Sequence, residues 1–160
     1  MLVVDHLFRP AQHRPFVARL IYEEFWRDRA GYSAEHFERR LAEAGAAGRI
    51  PLSFLALEDG RPVGTINLVD NDDEARTHLR PWLAALAVVA DRRRSGVGRA
   101  LVGRLLDEAA ALGFREVYLG TDAPAYYARF GATPLERATG ALVVMRCPTR
   151  VLPGRSGPPR

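Results

Sequence analysis

The chain has 160 residues, 48% hydrophobic and 26% charged, a balance that supports one packed core and excludes a disordered chain or two ordinary domains. Its net charge is +4 and every basic residue is arginine, so an anionic partner is open, and the position of the arginines must say whether it is nucleic acid, a membrane surface or a phosphorylated cofactor. The single cysteine, Cys147, excludes an intramolecular disulfide and a cysteine-based zinc site, and the four histidines lack metal-ligand spacing, so no metal is expected.

Leu2 to Phe8, apolar and β-branched and ended by Arg9-Pro10, predicts a first strand. From Pro10 to about Arg29 the residues Phe16, Val17, Leu20, Ile21, Phe25 and Trp26 recur at helical spacing, with proline at the start, where its missing N–H costs little. A second helix is expected after Ser33, a natural N-cap, carrying His36, Phe37 and Leu41 and ending between Gly45 and Gly48. Pro51 to Glu58 and Pro62 to Val69 flank Asp59-Gly60, which takes positive φ readily, and this predicts an antiparallel hairpin. A polar loop, Asp70 to Arg80, leads through Pro81-Trp82 to the apolar run Leu83 to Ala90. That run is too short to span a bilayer, and its lack of alternation predicts a strand buried on both faces. No basic segment followed by an apolar signal core opens the chain, so a cytoplasmic location without a membrane partner is the expectation.

Gly96 to Leu112 places Val97, Leu101 and Leu105 on one helical stripe beside Val102, Leu106 and Ala109, and Gly113 is a stop signal. Phe114 to Gly120 then predicts a strand, so Leu83 to Gly120 forms a strand, helix, strand unit that builds parallel sheet. A short helix over Ala123 to Phe130 and strands near Thr133 to Arg137 and Ala141 to Cys147 follow, with Cys147 as a buried strand residue. Residues 1–147 make the expected domain, and Pro148 to Arg160, rich in Pro, Gly and Arg, an expected mobile tail.

The stretch that carries chemistry is Arg93-Arg94-Ser95-Gly96-Val97-Gly98, between a buried strand and the first turn of a helix. Such a first turn has N–H groups without partners and the positive end of the macrodipole, and glycines there leave room for a phosphate. Arg93, Arg94 and Arg99 add positive charge suited to a ligand with several phosphates. The spacing is not that of a Walker loop, which also needs a lysine, nor of a dinucleotide fingerprint, which needs a third glycine.

The run Leu86-Ala87-Val88 through Arg93-Arg94-Ser95-Gly96-Val97-Gly98-Arg99-Ala100-Leu101 resembles the acetyl-CoA signature of GCN5-related N-acetyltransferases, and Tyr127-Ala128-Arg129-Phe130-Gly131-Ala132 resembles that family's second marker. The order of elements follows the family too. The resemblance implies an α/β (α+β) fold with a central mixed sheet of about six or seven strands, splayed between its two central parallel strands and flanked by about four helices. It implies acetyl-CoA as acyl donor, with backbone N–H groups of Arg94, Ser95, Gly96, Val97, Gly98, Arg99 and the following Ala100 around the pyrophosphate. The exposed backbone of Leu86, Ala87 and Val88 would pair with the pantetheine arm, the amide of Leu86 or a neighbour would stabilise the oxyanion, and Tyr127 would protonate the departing thiolate. Tyr126 is the competing proton donor, because the loop after Thr121 is short here, and Ala132 stands where the family commonly has an aromatic residue.

The acceptor implied is a primary amine of a small molecule or peptide. Its deprotonation needs a base, for which Asp70 and Asp72 in the acidic loop are candidates, with His78 and Trp82 in the same approach. Phe25, Trp26 and Tyr32 are candidates for an acceptor wall or for plain core. A CoA-binding regulatory module without catalysis is the alternative. Nucleic acid is the weaker reading, since the arginine cluster lacks interleaved aromatics. Many relatives pair through late strands, which leaves a homodimer open.

Overall fold

The computed structural model describes residues 1–149. Seven strands form one sheet in the order β1-β2-β3-β4-β5-β7-β6: β1 (Leu2–His6), β2 (Leu52–Glu58), β3 (Arg61–Val69), β4 (Trp82–Val88), β5 (Glu116–Thr121), β6 (Thr133–Arg137) and β7 (Val143–Pro148). All neighbours are antiparallel except β4 and β5, the strand, helix, strand unit read from the sequence. Asp59 and Gly60 join β2 to β3 with φ of 50 and 83°, the two positive values a tight hairpin needs.

Alternation along β2 sorts the core onto the two faces of this sheet. Leu52, Phe54 and Ala56 pack with Ile66 and Leu68 of β3 against Leu101, Val102 and Leu105 of α3 (Val97–Ala111). Leu55 points the other way, against Val17, Ala18 and Ile21 of α1 (Arg14–Ile21) and Phe37 and Leu41 of α2 (Ala34–Ala42). The short α4 (Pro124–Ala128) lies on the α3 side, where Tyr127 and Phe130 join the larger cluster. Cys147 is buried in β7, and burial pushes its thiol pKa up to about 11, the inert state expected of it. No helix among the described residues is long and apolar enough to cross a membrane.

Local signals hold at most ends. Ser33 caps α2 by accepting the His36 N–H at 3.2 Å. Gly113, at φ 95°, ends α3, and the Phe114 N–H returns to Ala109 O at 3.0 Å. The first helix differs from the reading above. Pro10 precedes a short 3-10 turn, Pro15 takes the first-turn position in α1, and Tyr22–Trp26 winds as a π-helical turn, a widening that hydrophobic spacing does not register. Of the expected tail, Pro148 closes β7 and Thr149 donates to Phe114 O at 2.7 Å, so both are part of the fold, and residues 150–160 lie outside the described residues.

Burial of β4 on both faces is only half observed. Leu83 and Ala87 are buried, but Ala84, Ala85, Leu86 and Val88 are half-buried, because β5 moves away from that part of the strand. Its other neighbour packs tightly. A Cβ on Gly64 of β3 would stand 3.0 Å from Ala87 O and from a Leu101 methyl, and 3.2 Å from Val97. Gly64 thus sets how closely α3 approaches the sheet. Gly64→Ala is expected to lower stability by about 1–3 kcal/mol through overpacking, read as a lower urea midpoint at unchanged slope.

Candidate active site

The two parallel strands share a single register pair, Trp82↔Tyr118, where the Tyr118 N–H donates to Pro81 O at 2.9 Å. Beyond it they part, and the β4 edge from Ala84 to Val88 has no strand beside it. Midway along that edge β4 carries a bulge. Asn67 of β3 pairs with Ala84 and Thr65 with Ala87, so Ile66 alone opposes both Ala85 and Leu86. Ala85 sits at φ 51°, a left-handed value that costs a non-glycine residue roughly 1–2 kcal/mol. Leu86 thereby falls in the open stretch.

The strand ends in a turn that leads into α3. Arg94 at φ 61° and Gly96 at φ 91° bend it, and Gly96 is the N-cap without any side-chain hydrogen bond to the first turn. The Ala100 N–H is taken by Gly96 O at 3.0 Å, so it is unavailable to a ligand, which leaves the N–H groups of Val97, Gly98 and Arg99 open. Val97 is buried under the sheet and anchors this turn, while the Ser95 hydroxyl folds back onto Arg92 O and stays out of the concavity. Backbone arranged in this way can hold an anion.

The arginines divide into two groups. Arg92 pairs with Glu58 and Asp91, and Arg61 pairs with Asp91 at 2.9 Å. Arg93 is also engaged. It donates to Val88 O at 3.2 Å and to Glu24, on the π-helical turn after α1, at 3.0 Å. Its guanidinium therefore clasps the end of β4 to the first helix, a link between distant segments that sequence spacing cannot reveal. Arg94 and Arg99 are exposed and have no acidic partner among the described residues, so they hold the cluster's uncommitted charge.

The two tyrosines of α4 have different surroundings. Thr121 Oγ1 accepts the Ala123 N–H at 2.9 Å and fixes the start of this helix at the end of β5. Tyr126 sends its hydroxyl to Gly98, where a Cβ would collide with it, so this glycine makes room for a tyrosine. The Arg129 guanidinium lies 5.0 Å over the Tyr126 ring. Tyr127, T-shaped to Tyr126 at 5.1 Å, is half-buried against the core, and burial, reinforced by Tyr126 and Asp122, raises its pKa. Its phenol stays protonated at any working pH, which suits a proton donor and not a base.

The loop before β4 folds across the sheet. Arg76 pairs with Asp73 at 2.7 Å and with Glu136 of β6. Asp70 is not brought to the open edge. It pairs with Arg80 at 2.7 Å beside the closed end of β4, in a surface hollow shared with Ile50, Leu112 and Phe114. The surrounding chain desolvates the Asp72 carboxylate and, with Asp73 beside it, pushes its pKa up to about 6 against the opposing field of Arg40 from α2, although the residue as a whole is exposed. His78 is exposed, whereas Trp82 is core, its indole donating to Leu79 O at 2.8 Å. Trp26 and Ala85 each pack against the smaller cluster, and the Trp26 ring lies 4.4 Å from that of Tyr32, while Phe25 is exposed.

The family model described as "Acetyltransferase (GNAT) family" matches residues 18–132. No curated protein matches the sequence. Among solved structures, an aminoglycoside 6'-N-acetyltransferase complexed with coenzyme A is 18% identical, with a TM-score of 0.71 over 94% of this chain and 99% of the other. The ribosomal-protein-S18-alanine N-acetyltransferase from Escherichia coli is 20% identical, with a TM-score of 0.64 over 97% and 98%. A GNAT acetyltransferase from Streptococcus pneumoniae is 17% identical, with a TM-score of 0.67 over 94% and 100%. With the family model covering most of its length and these proteins sharing its fold, the chain belongs to the GNAT acetyltransferase family and is an acyltransferase.

Proposed function

We propose that the protein transfers an acetyl group from acetyl-CoA to a primary amine of a small molecule or peptide, by direct attack in a ternary complex. The observation that carries this reading is the open β4 edge running into the uncapped first turn of α3. A strand edge can hold an amide-bearing arm and a helix N-terminus a pyrophosphate, and a molecule with both parts fits the two in sequence. The coenzyme A bound to the similar aminoglycoside acetyltransferase supports the choice of donor.

Each residue then has a task. The N–H groups of Val97, Gly98 and Arg99 hold phosphate oxygens, and Arg94 and Arg99 supply charge that Arg92 and Arg93 have already given to carboxylates. Ala87 and Val88 provide backbone to the pantetheine arm, for which Val88 O must be released by Arg93. Leu86 N–H faces the charge developing on the thioester oxygen. Tyr127 protonates the thiolate, and Tyr126, with its hydroxyl at Gly98, belongs to the coenzyme side. Asp72, tuned towards neutrality, takes the amine proton directly or through water, and Asp70, committed to Arg80, has no part.

The acceptor's identity rests on the walls formed by α1, α2 and the loop before β4. One fold serves proteins named for an aminoglycoside and for a ribosomal protein, so fold alone does not choose.

Calorimetric titration with acetyl-CoA tests the donor. The wild-type protein is expected to bind, and the Arg94→Ala, Arg99→Ala double variant to bind about tenfold or more weakly at low ionic strength, the gap narrowing as salt is added. No binding by folded wild-type protein would overturn the reading. Thiol release over a panel of amines tests transfer, and binding without release from any amine would favour the regulatory module. Tyr127→Phe is expected to lower kcat about 10²-fold while leaving the coenzyme Kd unchanged, the signature of an acid that acts only in the transition state. The acid limb of kcat/KM is expected near pH 6, with activity falling as Asp72 becomes protonated. Asp72→Asn should abolish that limb and Asp70→Asn preserve it, and an unchanged limb in Asp72→Asn would remove Asp72 as the base.

A further inference from the structure

The sheet face covered by α1 and α2 buries an unexpected polar row. Ser53 is 4% exposed and Asn67 6%, and they sit side by side across β2 and β3, with Ala84 of β4 next in line. The Ser53 hydroxyl donates to Asn67 Oδ1 at 2.6 Å. That bond fixes which way the amide points, and Nδ2 is left facing the carbonyls of Ala84 at 3.4 Å and Ala85 at 3.5 Å. Stability alone does not require this pair, because two apolar side chains of the same shape in place of a buried hydrogen-bonded pair are often neutral.

The two carbonyls belong to the bulge, where Ala85 holds its left-handed φ. Ala85 C=O and Leu86 N–H are opposite ends of one planar trans peptide and point in opposite directions. Asn67, on β3, draws the Ala85 oxygen towards β3, and this turns the Leu86 N–H towards the gap between β4 and β5. The contacts are long, so the amide steers the peptide between its alternatives without clamping it.

We propose that Asn67, oriented by Ser53, is a positioning residue that holds the Leu86 N–H in the gap, aimed at the thioester oxygen. This rests on the reading of Leu86 as the oxyanion donor given above, and the experiment separates the two. In the full chain, the 15N-resolved Leu86 amide is followed with bound CoA and with bound acetyl-CoA, alongside kcat and the coenzyme Kd. The wild-type amide proton is expected to move downfield when acetyl-CoA replaces CoA. In Asn67→Leu that movement is lost and kcat falls about 10- to 100-fold, since a misdirected donor forfeits much of an oxyanion contact, while Kd changes by less than about threefold. Ser53→Ala keeps the amide but frees its rotation, and a smaller loss in the same direction is expected. It decides the matter if Asn67→Leu does not fold.

A wild-type amide indifferent to the acetyl group would sink the Leu86 reading and this proposal with it. A responsive wild-type amide whose response and kcat survive in both variants would overturn the proposal alone. So would a fall in coenzyme affinity that matches the fall in kcat, which marks a merely structural role.

Discussion

Strands β4 and β5 run parallel but meet at one register pair, Trp82↔Tyr118, and the rest of the site follows from their parting. Parallel neighbours in a buried sheet normally satisfy each other's backbone groups along their length. Here a run of peptide N–H and C=O groups stays unpaired inside a folded domain, which is tolerable only where solvent or a ligand reaches them. The parting is sustained from both sides. At the closed end Trp82 is core, and at the open end β5 passes into α4 through the Thr121 turn, which brings Tyr127 against the larger core cluster.

Backbone conformation and electrostatics reinforce each other along the same path. Among the described residues, two of the three non-glycine residues with positive φ, Ala85 and Arg94, lie on it. Each redirects peptide groups that a regular strand or helix would have consumed, Ala85 at the edge and Arg94 before the first turn of α3. The charges are arranged to match. Arg61, Arg92 and Arg93 are bound into ion pairs that tie the strand ends and the first helix together, while Arg94 and Arg99 stay open to an incoming anion. Paired and unpaired cations are thus distinct within one short cluster, and Tyr126 fills the space that the missing side chain of Gly98 leaves.

The opposite face of the sheet is built differently. It is covered by α1, the π-helical turn after it and α2, and the loop before β4 is tied to β6 through Arg76. The contact between Arg93 and Glu24 joins this covering layer to the end of β4 and the turn before α3.

Much of this was legible in the sequence because the signals are local. The hairpin at Asp59-Gly60, the cap at Ser33, the stop at Gly113 and the glycine-arginine turn before α3 are each set by the conformational needs of a few adjacent residues. By itself the sequence therefore determined the strand and helix order, the parallel unit around α3, the glycine-arginine turn that opens it and the adjacent pair of tyrosines on α4. The tertiary structure alone decided which arginines are free, that Tyr126 abuts Gly98 while Tyr127 turns inward, and that Asp70 is tied to Arg80 while Asp72 is desolvated. It also decided that Asn67 and Ser53 lie beneath the bulge at Ala85. These are meetings of residues far apart in the chain, and their energies depend on burial and on neighbours brought in by other strands, which spacing along a single segment cannot encode.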